Sequence, residues 1–312
     1  MQICNVRVFS VKYFVSSQTP EGYFYSCDKF CILGKLNFFE VGLFSSELSD
    51  FLLSRFSRTL SADLSLPFGS ANAILDYKYK QRFGVGEYRN NLNIILSNGS
   101  SFYFGYHHNS NRDNSFTWKI EINPNKCLPC DDFFDFLHFI YARSVLTRVR
   151  ISQIDLAIDF PFSRNCFVLE KDRRIYSLVN DGSGNITEYL SRHNSHGFCK
   201  LYDKQKESNL DKPVTRFEIT LKKFGYADVV SSFPVLRFFD NSQIELNSVL
   251  PDLGQNDTVF VDLLRLNPEY LKRLTYRKRK LFEPYLNLSC PPYEFNKDCY
   301  LQLMSKINEV FL

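Results

Sequence analysis

No apolar run in this chain approaches the roughly 20 residues that a helix needs to cross a bilayer, so any membrane association is expected to be peripheral. The opening residues, MQICNVRVFS, lack the apolar core of a secretory leader. The nine cysteines, at 4, 27, 31, 127, 130, 166, 199, 290 and 299, are odd in number and lack the spacing of a disulfide framework. These absences point to a reducing cytoplasm and to no membrane partner. Cys27 with Cys31 and Cys127 with Cys130 invite a four-thiolate zinc reading, but the first pair is spaced too loosely, and small buried thiols are the plainer expectation. Internal repeats and low-complexity segments are missing too. The formal charge of +4 does not by itself announce a nucleic-acid binder.

What the chain has is core material. Its 312 residues are 44% hydrophobic and include 31 Phe, which excludes wholesale disorder and suffices for two packed units or one large body with a tail. Strand-like alternation runs through EGYFYSCDKFCILGKLNFFEV, LNIILSNGSSFYFGYHH and SFTWKIEIN, with a turn at Asn98-Gly99. A helix capped by Ser46 is expected over ELSDFLLSRFSRTL, and a second from Asp131 or Asp132 through DDFFDFLHFIYARSVLTRV. After it, RISQIDLAIDF, GFCKLYDK and TRFEITLKK each read as a strand with one apolar face and one charged face. Thr187 to Leu190 is expected to form a strand leaving the turn at 181–185. From Asn267 a helix is expected, with Pro268 at its first turn and Pro284 as its stop. The fold class predicted is α+β: antiparallel β-sheets packed on helices, with a basic helical C-terminal segment. The expected regions are 1–147, 148–262 and 263–312.

The charged strand face carries the chemistry. Asp155, Asp159 and Glu218 offer hard oxygen ligands suited to magnesium or manganese. A tyrosine beside them has the chemistry to attack a phosphodiester and hold the phosphate covalently, given a cation and Lys/Arg donors to offset the charge. Arg192, Lys200, Lys204 and Arg216 are the candidate donors. Solvated carboxylates and packing tyrosines are the plain alternative for each. His193 and His196 bracket Asn194 and Ser195, which is not a His-hydrophobic-His metal pair, and no ligand role is assigned to them.

Three blocks in series resemble the Rep_trans family of rolling-circle replication initiators of small plasmids and some filamentous phages, with related conjugative relaxases. RISQIDLAIDF is similar to the family's Arg-x-x-x-Ile-Asp-x-Ala-x-Asp strand. Thr187, Tyr189, Ser195, Lys200, Tyr202, Asp203, Lys204 and Glu207 match its Thr-x-Tyr element and the Tyr-Asp-Lys strand that follows, and TRFEITLK matches its Thr-Arg-Phe-Glu strand. The match covers Arg148 to Lys223. Where the family continues its tyrosine with Ile-Gly-Ser-Arg, this chain reads Leu190-Ser191-Arg192-His193. The resemblance implies that 148–262 is a nicking-closing region, with Tyr189 as nucleophile, Lys204 and Arg216 assisting, and Mg2+ or Mn2+ on Asp155, Asp159 and Glu218. It also implies origin DNA, double-stranded and single-stranded, as partner, with a homodimer, a host helicase and a DNA polymerase.

Two basic stretches are candidates to hold that DNA. Lys78, Lys80 and Arg82 interleave with tyrosines in YKYKQR of the N-terminal region. Lys272, Arg273, Arg277, Lys278, Arg279 and Lys280, with Arg265, concentrate positive charge near the C-terminus. Arg192, Lys200 and Tyr202 are DNA-contact candidates beside the proposed nucleophile. A rival reading is a DNA-binding initiator or regulator without strand transfer. RNA binding by an aromatic sheet is weaker, because carboxylates on the face repel phosphate.

Overall fold

The computed structural model describes residues 16–37, 41–60, 88–108, 116–127, 130–180, 185–238, 253–266, 268–287 and 292–311. Lys78, Lys80 and Arg82 lie outside these described residues, as does most of the turn expected at 181–185. The chain forms two compact units. The first comprises 1–17, 26–156 and 301–312; the second comprises 18–25 and 157–300. The division falls inside a strand, after Leu156.

β1 (Ser16–Gln18) pairs with β2 (Phe24–Lys35), and the first unit, which holds β2 from Ser26 onward, adds β3 (Tyr88–Ile95), β4 (Ser101–His108) and β5 (Thr117–Ile122) in the order β3-β4-β5-β2. The β2–β5, β3–β4 and β4–β5 pairings are antiparallel: Tyr103 stands opposite both Asn93 and Glu121, and Cys31 opposite Glu121. Alternation sends Phe30, Ile32, Phe102, Phe104, Trp118 and Ile120 to one face, where all are buried. That face is covered by α1 (Val41–Leu60) through Phe44, Leu48 and Leu52, and by α3 (Asp131–Ala142) through Phe133, Phe136 and Ile140; the short α2 (Pro124–Cys127) precedes α3. At about 1.5–3 kcal/mol for each large apolar side chain buried, this layer is the main stabilising term of the unit. Gly34 has a steric reason: a Cβ there would lie 2.2 Å from the Trp118 ring. The helix α1 begins at Val41 rather than at a Ser46 cap, because Phe44 packs edge-on against Tyr106 and so extends the apolar stripe by a turn.

The second unit is built on β6 (Arg150–Phe160), whose last four residues belong to it, with β8 (Tyr176–Asn180), β9 (Ile186–Leu190), β10 (Phe198–Asp203) and β11 (Thr215–Leu221) in the order β6-β11-β10-β9-β8. Pairings β8 to β9, β9 to β10 and β10 to β11 are antiparallel. A separate pair joins β7 (Phe167–Leu169) to β12 (Leu236–Phe238). Leu190, Cys199, Leu201, Phe217, Ile219 and Leu221 share the buried side of the sheet. The short α4 (Lys204–Ser208) starts where β10 ends: Asp203 caps it, its carboxylate accepting from Lys206 N at 3.1 Å. After α5 (Tyr226–Ser232) come α6 (Gln255–Leu266), a 3-10 turn at Pro268–Arg273, α7 (Tyr276–Asn287) and α8 (Lys297–Phe311).

The C-terminal segment is therefore helical, but not as the one helix expected from Asn267. It breaks between Arg273 and Tyr276, and Pro284 lies inside α7 instead of ending it. Phe282 and Tyr285 flank the proline and pack into a small core of Val168, Val261 and Leu264; that burial offsets the hydrogen bond the proline removes. The architecture is α+β, with antiparallel sheets packed on helices.

Candidate functional site

The site face of the second unit's strands follows from register. Lys200 on β10 stands directly opposite Tyr189 on β9 and Glu218 on β11, and Tyr202 stands opposite Arg216. Directly opposed side chains lie close enough to interact, about 4.5–5.5 Å between Cβ atoms. Period-two alternation turns all five to the side opposite the apolar layer.

Two ion pairs organise this face. Arg216 grips Asp159 with two parallel bonds, Nε to Oδ1 and the terminal nitrogen to Oδ2, both 2.6 Å. Glu218, 5% exposed, accepts from Lys200 Nζ at 2.6 Å on one oxygen and from the Tyr202 hydroxyl at 2.6 Å on the other. Burial, and then the Glu218 charge beside it, push the Tyr202 phenol well above the ordinary value of 10.0, so Tyr202 holds its proton. Tyr189 differs. It is partly exposed, its ring lies parallel to Phe198 at 5.8 Å, and among the described residues no hydrogen bond engages its hydroxyl. Of the two tyrosines, only Tyr189 has an oxygen available to a substrate.

The loop from β9 to β10 sets that tyrosine's surroundings. Ser191 sits at φ 81°, Asn194 at 59° and Gly197 at 76°, all in the left-handed region. Ser191 therefore holds the conformation that a glycine would hold without strain, and it is fixed by Ser191 N donating to Ile175 O at 2.7 Å and by a 2.9 Å contact between the Ser191 and Ser195 hydroxyls. The exposed Arg192 follows it, and its carbonyl accepts from the Ser195 hydroxyl at 2.6 Å. His196 is structural: its ring accepts from Lys222 N at 3.1 Å and meets the Ser232 hydroxyl at 3.0 Å. His193 packs edge-on against Phe198.

Other expected site residues lie apart from this group. Lys204, at the start of α4, pairs with Glu207 and lies 6.0 Å from the Tyr202 ring centre. Asp155 shares the Asp159 side of β6 but precedes it by four residues and accepts from Gln153 Nε2 at 3.1 Å. Among the described residues no three His, Cys, Asp or Glu side chains converge as a metal-ligand set, the cysteine pairs included. As arranged, the carboxylates do not fit a divalent cation, because Asp159 and Glu218 already spend their oxygens on Arg216, Lys200 and Tyr202.

Directly behind Tyr189 is a group that sequence reasoning missed. Glu188, fully buried, takes Arg164 on one oxygen and Lys272 with the Tyr176 hydroxyl on the other; the Tyr176 bond is 2.6 Å. Burial alone would raise this carboxyl, but the Arg164 and Lys272 charges and the Lys272 and Tyr176 hydrogen bonds outweigh it and hold it below the ordinary 4.5. The signal was available: alternation with Tyr189 puts Glu188 on the apolar side, where a charge needs partners.

Lys272 thus faces inward rather than forming part of an open cationic surface. Arg265, counted with the basic segment, is also buried and pairs with Asp262 at 3.2 Å. Arg277, Lys278, Arg279 and Lys280 are exposed on α7, as is Arg273 in the preceding turn. Aromatic faces accompany them: Arg273 lies 5.2 Å from the Tyr270 ring, Lys280 5.4 Å from Tyr276 and Lys278 5.7 Å from Phe260.

No family model and no curated protein matches the chain. Among solved structures it is similar to a rolling circle replication initiator protein from Geobacillus stearothermophilus, at 13% identity over 79% of this chain and 97% of that one, with a TM-score of 0.32. A likeness at that level leaves the functional argument with the residues themselves.

Proposed function

We propose that the chain initiates rolling-circle replication by nicking one strand of origin DNA through Tyr189 and later rejoining it. The observation that carries this reading is a partly exposed tyrosine directly opposite a lysine, on a sheet face whose second tyrosine is locked to a carboxylate. In the nicking step the Tyr189 oxygen attacks the phosphorus, the bond to the 3′ oxygen breaks, and the departing oxygen takes up a proton. The 5′ phosphate stays on the tyrosine, so the bond energy is kept for the reverse step, in which a 3′ hydroxyl attacks and the phenol leaves. Lys200, opposite Tyr189 on the neighbouring strand, and Arg216, on the strand beyond it, supply positive charge on this face for the charge that builds on phosphate.

Magnesium or manganese belongs to the proposal only with the Arg216–Asp159 and Lys200–Glu218 pairs opened, which would release Asp159 and Glu218 as oxygen ligands. The exposed cations of α7, with Arg273 and Tyr270, provide phosphate contacts and stacking surface for origin DNA. A homodimer, a host helicase and a host polymerase join the proposal by the resemblance.

The second reading, a DNA-binding initiator or regulator without strand transfer, draws on those closed carboxylates. One experiment separates the two. Protein is incubated with a cognate single-stranded origin oligonucleotide with and without Mn2+, and covalent adduct is followed on a denaturing gel. The expected result is an adduct from the unsubstituted protein and none from Tyr189→Phe. An adduct from Tyr189→Phe removes Tyr189 as nucleophile, and no adduct from either removes strand transfer.

A further inference from the structure

The loop from β9 to β10 joins the strand of Tyr189 to the strand of Lys200. Exposed loops ordinarily have a loosely held backbone, but this one is tied to three elements. Ser191 N donates to Ile175 O at 2.7 Å, just before β8, and Gly197 N donates to Thr220 O at 2.8 Å on β11. Gly197 O accepts from Arg174 Nη1 at 3.1 Å; the same nitrogen donates to Ser232 O at 2.7 Å on α5, while Arg174 Nε donates to Asp172 at 2.8 Å. His196 adds its bonds to Lys222 N and the Ser232 hydroxyl. Within the loop, Arg192 O accepts from both the amide and the hydroxyl of Ser195, at 3.0 and 2.6 Å.

The side chains at its tip are uncommitted. Arg192, His193 and Asn194 are exposed, and among the described residues no hydrogen bond or ion pair engages their side chains. His193 rests edge-on against Phe198 at 5.2 Å, and Tyr189 stacks on that same ring at 5.8 Å, so the tip adjoins Tyr189. Lys222 and Lys223, exposed just past β11, adjoin the loop through the Lys222–His196 bond. A fixed backbone carrying free polar groups suits specific recognition, because groups already in place lose little freedom on binding. Each residue type here matches a part of a nucleotide. Arginine and lysine meet phosphate as cations. An imidazole offers a stacking face, which every base accepts. An amide sets a donor beside an acceptor and so tells base edges apart. An acidic peptide would use the cations and leave the ring and the amide idle.

We infer that the tip of this loop reads the nucleotide beside the phosphate that Tyr189 attacks: Asn194 contacts the base edge, His193 stacks on the base, and Arg192 with Lys222 and Lys223 holds the flanking phosphates. This rests on the proposed role of Tyr189, and it adds a sequence preference at the nick that is separate from the hold of α7 on origin DNA. Asn194 also has a plainer explanation. At φ 59° it occupies the left-handed region, which asparagine tolerates better than most residues. Glycine meets that backbone demand equally well, so Asn194→Gly removes the amide and keeps the turn.

Binding is measured apart from chemistry. Tyr189→Phe, which under the proposed function forms no covalent bond, is titrated by fluorescence anisotropy with the cognate single-stranded origin oligonucleotide and with a set in which each position is changed in turn. At a nucleotide flanking the nick, a preference of about tenfold for one base is expected, and adding Asn194→Gly is expected to bring it below about twofold while leaving preferences elsewhere. Adding His193→Ala is expected to weaken every oligonucleotide by a similar factor, because stacking is indifferent to base identity. A preference at the nick that survives Asn194→Gly overturns the proposal, and so does a loss spread evenly over all positions or the lack of any preference beside the nick. The adduct assay on otherwise unsubstituted protein tells the two failures apart. An adduct that forms while the preference survives Asn194→Gly leaves Tyr189 as nucleophile and removes the reader. No adduct at all removes the nucleophile and, with it, the nicked phosphate that the reader would flank.

Discussion

Glu188 and Tyr189 are adjacent on β9 yet occupy opposite kinds of place. Behind the sheet, one carboxylate is fully buried and held by two cations and a phenol. In front, Tyr189 is partly exposed beside a lysine whose own carboxylate partner is only 5% exposed. A buried charge cluster costs several kcal/mol to disassemble and so keeps one arrangement. In front, Glu218 is buried but its partner Lys200 keeps 31% of its side chain exposed, so that cation can turn to a ligand's charge at less cost than the cluster behind. The strand thus has a fixed back and an exchangeable front, and the proposed chemistry lies on the exchangeable side.

The comparison can be broken from either side. The largest effect is expected in front: Tyr189→Phe should abolish covalent adduct while leaving the unfolding midpoint unchanged, since it deletes one partly exposed hydroxyl. A fall in stability would mean that Tyr189 is a packing residue. Behind, Glu188→Ala should cost about 3–5 kcal/mol in denaturant unfolding, because Arg164 and Lys272 lose their buried carboxylate. Its pH signature has a definite sign. A carboxyl held below its ordinary 4.5 contributes fully above that pH and loses its contribution as pH falls through the folded value, so the gap between unsubstituted protein and Glu188→Ala should narrow in acid.

Tyr202→Phe sharpens the contrast within the front face. It removes a 2.6 Å bond to Glu218 and should cost about 1.5–3 kcal/mol while keeping the adduct. The smallest effect is at Ser191. Ser191→Gly relieves a φ of 81° but loses the contact with the Ser195 hydroxyl, and the net gain should be below about 1 kcal/mol in the same unfolding assay.

The strands that make the site were legible. RISQIDLAIDF is β6 from end to end, and β10 and β11 fall within GFCKLYDK and TRFEITLKK, because a sheet covered on one side writes its geometry as alternation. What a single sequence does not write is which charge meets which across strands far apart in the chain. Asp159 and Glu218 read as cation ligands from their own strands, and only the register shows each answered by Arg216 or Lys200. Asp203 of the Tyr-Asp-Lys triplet likewise turns out to cap α4. In the C-terminal segment Pro284 suggested a stop, but the burial of Phe282 beside it decided otherwise, and burial is set by neighbours distant in sequence. At Ser191 the backbone holds a left-handed conformation that the residue type does not announce.

Lys272 sits in the turn that leads into the cationic helix α7, and its ammonium is bonded to the residue next to Tyr189. Basic helix and tyrosine strand are therefore joined through a buried charge as well as through the chain between them. Under the proposed function this makes the protein a ruler. The number of nucleotides between the duplex held by α7 and the phosphate presented to Tyr189 is set by protein geometry, so bases inserted between the two in an origin would shift the nick within the sequence while leaving its distance from the bound duplex the same.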